Sequence, residues 1–215
     1  MRKIILSCAI ALTSLTMYSQ TATDVRGRLV LGLKAGVNYS NVYDSRGQSF
    51  DANPKLGFAG GGFLAIPIGK LFGIQPEIML SQKGFQSSGN ILGSYYNVTR
   101  TSTYLDIPLL FAFKPSEFLS LFAGPQLSYL LKQKNTFKNG STSVEREIAF
   151  DKEDPRKNTL GFAVGADLTL KHFLVSGRIG WDIQQNNPNG TSSELRYKNV
   201  VYQVSIGHRF YSRRS

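Results

Sequence analysis

The chain has little of what most protein chemistry is built from. It contains one cysteine, Cys8, two histidines, His172 and His208, and one tryptophan, Trp181. A lone cysteine this near the start leaves the rest of the chain without disulfides or thiolate metal ligands, and no other metal-ligand spacing appears. No apolar run reaches the roughly 18 residues a membrane-crossing helix needs, which excludes a polytopic helical membrane protein. Acidic residues are scarce too, 14 against 25 Lys and Arg, for a formal charge of +11. That balance raises the question of a nucleic-acid partner. Apolar residues are not scarce: 41% of the chain is hydrophobic, too much for a disordered chain, and 215 residues suit one domain with a sizeable core.

Arg2 and Lys3 precede an apolar stretch from Ile4 to Leu15, followed by Thr16-Met17-Tyr18-Ser19-Gln20. A basic start, a short apolar region and a small residue at the end read as a secretory leader, with cleavage expected between Ser19 and Gln20. The stretch is too short and too rich in Ser and Thr to anchor the chain. Cys8 departs with it, so no disulfide is expected although the compartment is extracytoplasmic. The organisation expected is a leader over 1–19, a periplasmic segment over 20–28, a barrel over 29–210 and a short basic tail over 211–215.

From Leu29 the hydrophobic pattern has period two, as side chains alternate between the faces of a strand. It recurs over Leu56–Ile66, Phe72–Phe85, Thr101–Phe113, Phe118–Leu131, Leu160–Leu170, Phe173–Ile183 and Val200–Phe210. Strands of about 11 to 14 residues exceed the usual globular length and suit a tilted bilayer crossing. On these boundaries the odd-numbered joins have about 14, 15, 28 and 16 residues and the even ones about 5, 4 and 2. Segregated long loops and short turns predict an all-β, eight-stranded, antiparallel up-and-down transmembrane barrel with both termini in the periplasm.

One face of the strands carries Leu105, Ile107, Leu109, Phe162, Val164, Val204 and Ile206 and almost no charge. The other collects Lys34, Glu77, Lys83, Asp106, Asp167, Arg178, Asp182 and Arg209 among small residues such as Gly57, Ala59, Gly61, Ala163 and Gly165. Alternation alone permits a soluble barrel with the apolar face inside, binding a lipid or other apolar ligand. The aromatics argue for the membrane: Tyr39, Phe58, Tyr129, Phe162, Trp181 and Tyr202 fall near the long-loop ends, and Phe72, Phe113, Phe173 and Phe210 near the short-turn ends. Two aromatic rings around an aliphatic band are the girdles of a lipid-facing barrel.

The segments Gly73-Ile74-Gln75-Pro76-Glu77-Ile78 through Ser81-Gln82-Lys83-Gly84, then Tyr104-Leu105-Asp106-Ile107-Pro108-Leu109-Leu110, Phe122-Ala123-Gly124-Pro125 and the opening Gly32-Leu33-Lys34-Ala35-Gly36-Val37-Asn38 resemble the PorT-like, or porin-family, outer-membrane β-barrel proteins. The resemblance implies a barrel in the outer membrane of Gram-negative bacteria. Some of that family's members serve a protein-secretion system, and no motif here ties the chain to them. The resemblance also accommodates Pro76 and Pro108, which lack the N–H that a central strand donates.

Catalytic chemistry is nearly absent. His172 and His208 both fall at the short-turn end, away from the long loops where a barrel enzyme would want its acid or base. Glu145, Glu147, Asp151, Glu153 and Asp154 share their loop with Lys132, Lys134, Lys138, Arg146, Lys152, Arg156 and Lys157, and read as a solvated mixed-charge loop. Asn97-Val98-Thr99 and Asn189-Gly190-Thr191 match a glycosylation acceptor by coincidence, and Gly60-Gly61-Gly62 suits strand curvature rather than phosphate binding. No enzyme and no cofactor is expected.

Eight strands leave a lumen that side chains can fill, and four cations facing four anions predict a plugged, ion-paired interior; a narrow conduit is the alternative. The role expected is structural or interactive, in a monomeric barrel, with the third loop, Lys132 to Thr159, as the contact surface for other envelope proteins. Loss of Arg2 and Lys3 lowers the charge to +9, and the interior set cancels. The periplasmic rim of Arg26, Arg28, Lys70, Lys114, Lys171, Arg213 and Arg214 against Asp24 and Glu117 supplies +5, and the outer loops +4. No basic stripe is left for nucleic acid, and the partners implied are outer-membrane lipid and lipopolysaccharide.

Overall fold

The computed structural model describes residues 24–43, 52–91, 94–139, 142–149, 158–185 and 197–211. The leader, the Ser19–Gln20 junction, residues 212–215, the Asn189 motif and the charges from Asp151 to Lys157 lie outside the described residues. Among the described residues there are nine strands: β1 (Val30–Tyr43), β2 (Asn53–Pro67), β3 (Phe72–Ile91), β4 (Ser94–Phe113), β5 (Leu119–Asn139), β6 (Thr142–Ala149), β7 (Asn158–Leu170), β8 (Phe173–Asp182) and β9 (Lys198–Phe210). Eight of them close a ring. Each neighbour pairs antiparallel from β1 to β5, the lower part of β5 pairs β7, and β9 returns to β1 along Leu31↔Phe210 to Tyr43↔Lys198. Closure removes every sheet edge within the ring.

The ninth strand marks where sequence pattern and structure part. β3 and β4 were expected to stop at Phe85 and start at Thr101, with a loop between; instead they form one continuous hairpin joined by two residues between Ile91 and Ser94. β5 runs on to Asn139, and β6 pairs with that extension from Lys132↔Ala149 to Asn139↔Thr142. The third loop is therefore largely sheet. Gln86-Ser87-Ser88-Gly89-Asn90 has no apolar alternation to read, and at the start of β4 only Tyr96 and Val98 mark one face, Tyr96 stacking on Phe137 at 6.1 Å; β-propensity and the cross-strand ladder hold these stretches extended.

The turns at the opposite end are tight and chemically explicable. Gly69, at φ 90°, permits the β2–β3 turn, which Ile68 N–H closes onto Phe72 O at 2.9 Å. Lys171 holds φ 54° in the two-residue β7–β8 turn. Pro76 and Pro108 sit at an interruption of the β3–β4 ladder, whose partners step from Pro76↔Leu109 to Met79↔Asp106. The missing N–H of each proline thus falls where the pairing already lapses.

The faces are now assigned. Leu33, Leu56, Ile78, Leu109, Val204 and Ile206 are each more than half exposed on the outside, whereas Lys34, Glu77, Lys83, Asp106, Asp167, Arg178 and Asp182 are buried inside. A soluble ligand-binding barrel requires the inverse, so that alternative is overturned. An apolar belt around the whole ring is far larger than the patches that soluble monomers tolerate.

Candidate functional site

The charged lumen is the most heavily built part of the molecule. β1, β3 and β8 bring Lys34, Glu77 and Arg178 together: Lys34 Nζ lies 2.7 Å from Glu77 Oε2, and Arg178 Nη2 lies 3.6 Å from Glu77 Oε1. Gln75 donates to Glu77 Oε1 at 2.9 Å, and Arg178 Nη1 donates to Asp167 Oδ1 at 2.7 Å. The Arg178 guanidinium also covers the Phe122 ring at 4.4 Å. Gly165, its cross-strand neighbour, makes this possible, since a Cβ there would meet Arg178 Cδ at 2.6 Å.

Nearer the hairpin end, Lys83 Nζ lies 2.8 Å from Asp106 Oδ1 and 3.1 Å from Ser128 Oγ, and Ser128 donates to the same carboxylate at 2.6 Å. Lys83 also stands 4.7 Å over the Tyr104 ring. Between the two clusters a cavity of about 40 Å³ is lined by Asn38, Lys83, Asp106, Gln126, Arg178 and Asp182, among others. That is room for a few waters.

Two of the expected interior charges behave differently from the rest. Asp182 has no cation within ion-pair distance among the described residues; its Oδ2 accepts the backbone N–H of Asn199 at 3.0 Å and that residue's side-chain amide. Arg209 makes no direct ion pair with the network among the described residues. It is only half-buried, at the short-turn mouth, with its guanidinium 5.8 Å from the Tyr211 ring. The lumen proper therefore holds three cations and four anions rather than four of each. Gln75, Ser128 and Asn199, which satisfy the carboxylates, were not singled out in the sequence, although each lies in phase with the inward-facing set of its strand.

The two aromatic belts face outward. Tyr39 pairs with Tyr202 across β1 and β9, Phe162 packs on Trp181 at 5.6 Å, and Phe58 and Tyr129 are exposed at the same level. At the other end Phe72 lies 5.5 Å from Phe113, and Phe173 and Phe210 flank His208. His172 Nδ1–H donates to Arg209 O at 3.0 Å and the ring stacks on Tyr211 at 4.4 Å; among the described residues neither histidine is paired with a carboxylate or a serine. A third aromatic group, Phe85, Tyr104 and Tyr197, closes the inside of the hairpin end, where Arg100 lies 5.6 Å from Phe85 and 5.8 Å from Tyr197. Of the mixed-charge residues, Glu145 pairs with the exposed Lys134.

The segment before β1 closes the short-turn mouth. Val25 is buried, Arg28 N–H donates to Val25 O at 3.0 Å, and Arg26 clasps Asp24 through Nε and Nη2, both at 3.0 Å. Arg26 reaches Lys114 O at 3.5 Å while Lys114 Nζ donates to Arg26 O at 3.2 Å, and Lys70 stands 3.8 Å from Asp24. Lys114, placed above on the periplasmic rim, is only 7% exposed: the strand phase carries it inward past Ala112, and the segment covers it. The hydrogen bond from Arg26 holds the Asp24 carboxyl below the usual carboxylate range against the opposing effect of burial.

A depressed carboxyl stabilises the fold above its ordinary range, and that contribution is lost as pH falls through the folded value. Acidification should therefore loosen this latch. In Asp24→Asn at neutral pH, deuterium exchange over residues 24–28, corrected for intrinsic rate, should rise to the level the parent reaches only in acid, with little change in global unfolding. Unchanged exchange would show that Val25, not the ion pair, holds the segment.

Residues 18–186 match the outer membrane protein beta-barrel domain family. Among solved structures, the chain is similar to the attachment invasion locus protein Ail of Yersinia pestis, with 16% identity and a TM-score of 0.48 over 84% of this chain and 98% of that one. It is also similar to Neisserial surface protein A, with 8% identity and a TM-score of 0.49 over 84% and 97%. OprG from Pseudomonas aeruginosa gives 14% identity and a TM-score of 0.40 over 88% and 100%. At these identities the likeness concerns the fold alone. No curated protein matches the sequence.

Proposed function

The chain belongs to the outer membrane protein beta-barrel domain family, and from that premise we propose that this integral outer-membrane barrel is a closed structural and interaction protein, neither a channel nor an enzyme. The observation that carries the reading is the lumen: Lys34, Glu77, Arg178 and Asp167 cross it in one linked set and Lys83, Asp106 and Ser128 in a second, with a cavity of about 40 Å³ between them. Interaction falls to the parts that leave the membrane, the β3–β4 hairpin and the β5–β6 extension. The short turns and both termini face the periplasm in this reading, in a monomer whose outer surface meets lipid and lipopolysaccharide. The Gly73–Gly84, Tyr104–Leu110 and Phe122–Pro125 segments support placing it with the PorT-like members of the family.

The test is conductance. Purified protein inserted in planar bilayers should give no steady current at neutral pH, whereas a reproducible open level would overturn the closed lumen in favour of a narrow conduit.

A further inference from the structure

The only two histidines of the chain, far apart in sequence, come together at the short-turn end. His172 stands in the β7–β8 turn and His208 near the end of β9. Their ring centroids are 5.6 Å apart, with the planes 12° from parallel. The backbone sets this juxtaposition: Arg209 N–H donates to His172 O at 2.6 Å, carrying the β8–β9 ladder one step beyond Phe173↔His208.

The two rings are held unequally. His172 donates Nδ1–H to Arg209 O at 3.0 Å and stacks on Tyr211 at 4.4 Å. A carbonyl oxygen only accepts, so the proton is on Nδ1 and the lone pair of the neutral ring is on Nε2. That is the arrangement of a metal-ligating imidazole, whose other N–H is given to a carbonyl or carboxylate. His208 meets Phe173 edge to face at 5.4 Å and lies 4.8 Å from Phe210. Among the described residues neither of its nitrogens has a hydrogen-bond partner. Both histidines are partly exposed, so an ion can reach them from solvent.

Metal–nitrogen bonds of about 2.0–2.1 Å place an ion about 3.2 Å from each ring centroid, so two imidazoles on one tetrahedral ion have centroids about 5.2 Å apart. The observed 5.6 Å is a small adjustment away. His208 supplies it by turning about Cβ–Cγ, which breaks no hydrogen bond among the described residues. We propose that His172 and His208 form a site for a divalent transition-metal ion, with Nε2 of His172 as one ligand, a ring nitrogen of His208 as the other, and water completing the shell. Paired imidazoles suit zinc, nickel and copper, whereas magnesium and calcium take oxygen ligands. With only two protein ligands, and with the cations Lys171 and Arg209 adjoining them in sequence, the site exchanges its ion rather than holding it as a permanent structural centre. Bound there, the ion ties the β7–β8 turn to the end of β9. The site lies outside both ion-paired layers, so it stands whether or not the lumen conducts.

The experiment uses the protein extracted from its membrane into detergent, without an affinity tag, so that His172 and His208 are its only histidines. Copper(II) is added in equal amount and its pulsed electron paramagnetic resonance recorded, and thermal unfolding is followed in zinc, nickel and magnesium chloride. The copper spectrum should show two imidazole nitrogens, and zinc and nickel should raise the transition while magnesium leaves it in place. His172→Gln and His208→Gln should each reduce the spectrum to one imidazole or none and weaken zinc half-saturation about tenfold or more. The control Lys70→Met should respond like the parent. Where a histidine variant does not fold, protection in the parent carries the comparison: zinc, and not magnesium, should slow modification of both histidines by diethyl pyrocarbonate, read by mass spectrometry. A parent spectrum with one imidazole or none would overturn the site, because the rings would then share no ion. Equal responses to zinc and magnesium would overturn it too, as would zinc stabilisation that survives in both single variants.

Discussion

Glu77→Ala is expected to destabilise the barrel by about 3–5 kcal/mol, the cost of stripping a buried ion pair of one partner. Glu77 is the only carboxylate contacting Lys34 among the described residues, and the side chain of Lys34 is 1% exposed. Its second oxygen serves Gln75 and Arg178, so one truncation orphans an ammonium, an amide and part of a guanidinium. Glu145→Ala, which removes the partner of Lys134 where both side chains are roughly half exposed, should cost less than about 1 kcal/mol. The same ion-pair chemistry in two environments thus yields a several-fold difference. Removing both charges together, in Lys34→Met with Glu77→Gln, should recover part of the loss, because the desolvated ammonium is gone. Urea unfolding in lipid vesicles, read by Trp181 fluorescence and by the mobility of unheated protein on gels, measures all three. A Glu77→Ala barrel within about 1 kcal/mol of the parent would mean that water already reaches Lys34, and the lumen would have to be redrawn as hydrated.

Much of the ring was legible because the bilayer imposes a simple rule: where lipid meets one face and packed side chains the other, hydrophobicity must alternate. Leu33 against Lys34 and Ile78 against Glu77 carry that rule openly. Beyond the membrane it lapses, which is why the extensions of β3, β4 and β5 and the whole of β6 read as loops. The same lapse hid a bulge. Between Thr103 and Tyr104 the register against β5 shifts, so that Tyr104 faces Leu130 but Thr103 faces Lys132. Extrapolated past Leu131, the alternation of β5 assigns the following residues to the wrong faces. The lumen was legible as a set of charges but not as a set of pairs. Pairing depends on which strands lie across the ring and on how far each side chain reaches, and neither is written in a strand's own alternation. Arg209 and Asp167 share the inward phase, yet Arg178 takes Asp167 at 2.7 Å and Arg209 remains at the mouth. The burial of Lys114 was not legible for a related reason: nothing in a residue one step beyond a strand shows that the Asp24–Arg28 segment folds over it.

The second large effect tests the lipid contact itself. Ile206 lies on β9 midway between Tyr202 and Phe210, faces outward between Ala35 and Val175, and is 69% exposed. If the two aromatics mark the interfaces, Ile206 sits at the bilayer midplane, where an arginine costs about 2–4 kcal/mol. At Tyr202 or Phe210 the same substitution should cost only about 0–1 kcal/mol, because the guanidinium can snorkel to the head groups. In water all three positions would be ordinary surface sites, each changing stability by within about 0.5 kcal/mol. The series Tyr202→Arg, Ile206→Arg and Phe210→Arg, unfolded reversibly in bilayers, should therefore trace a peak centred on Ile206. Steric disruption cannot imitate that profile, since all three side chains leave the barrel on the same face and none contributes to the lumen. A peak displaced toward either end would shift the membrane along the strand and reassign the girdle, while a flat series would remove the physical basis for reading the exposed apolar belt as lipid-facing.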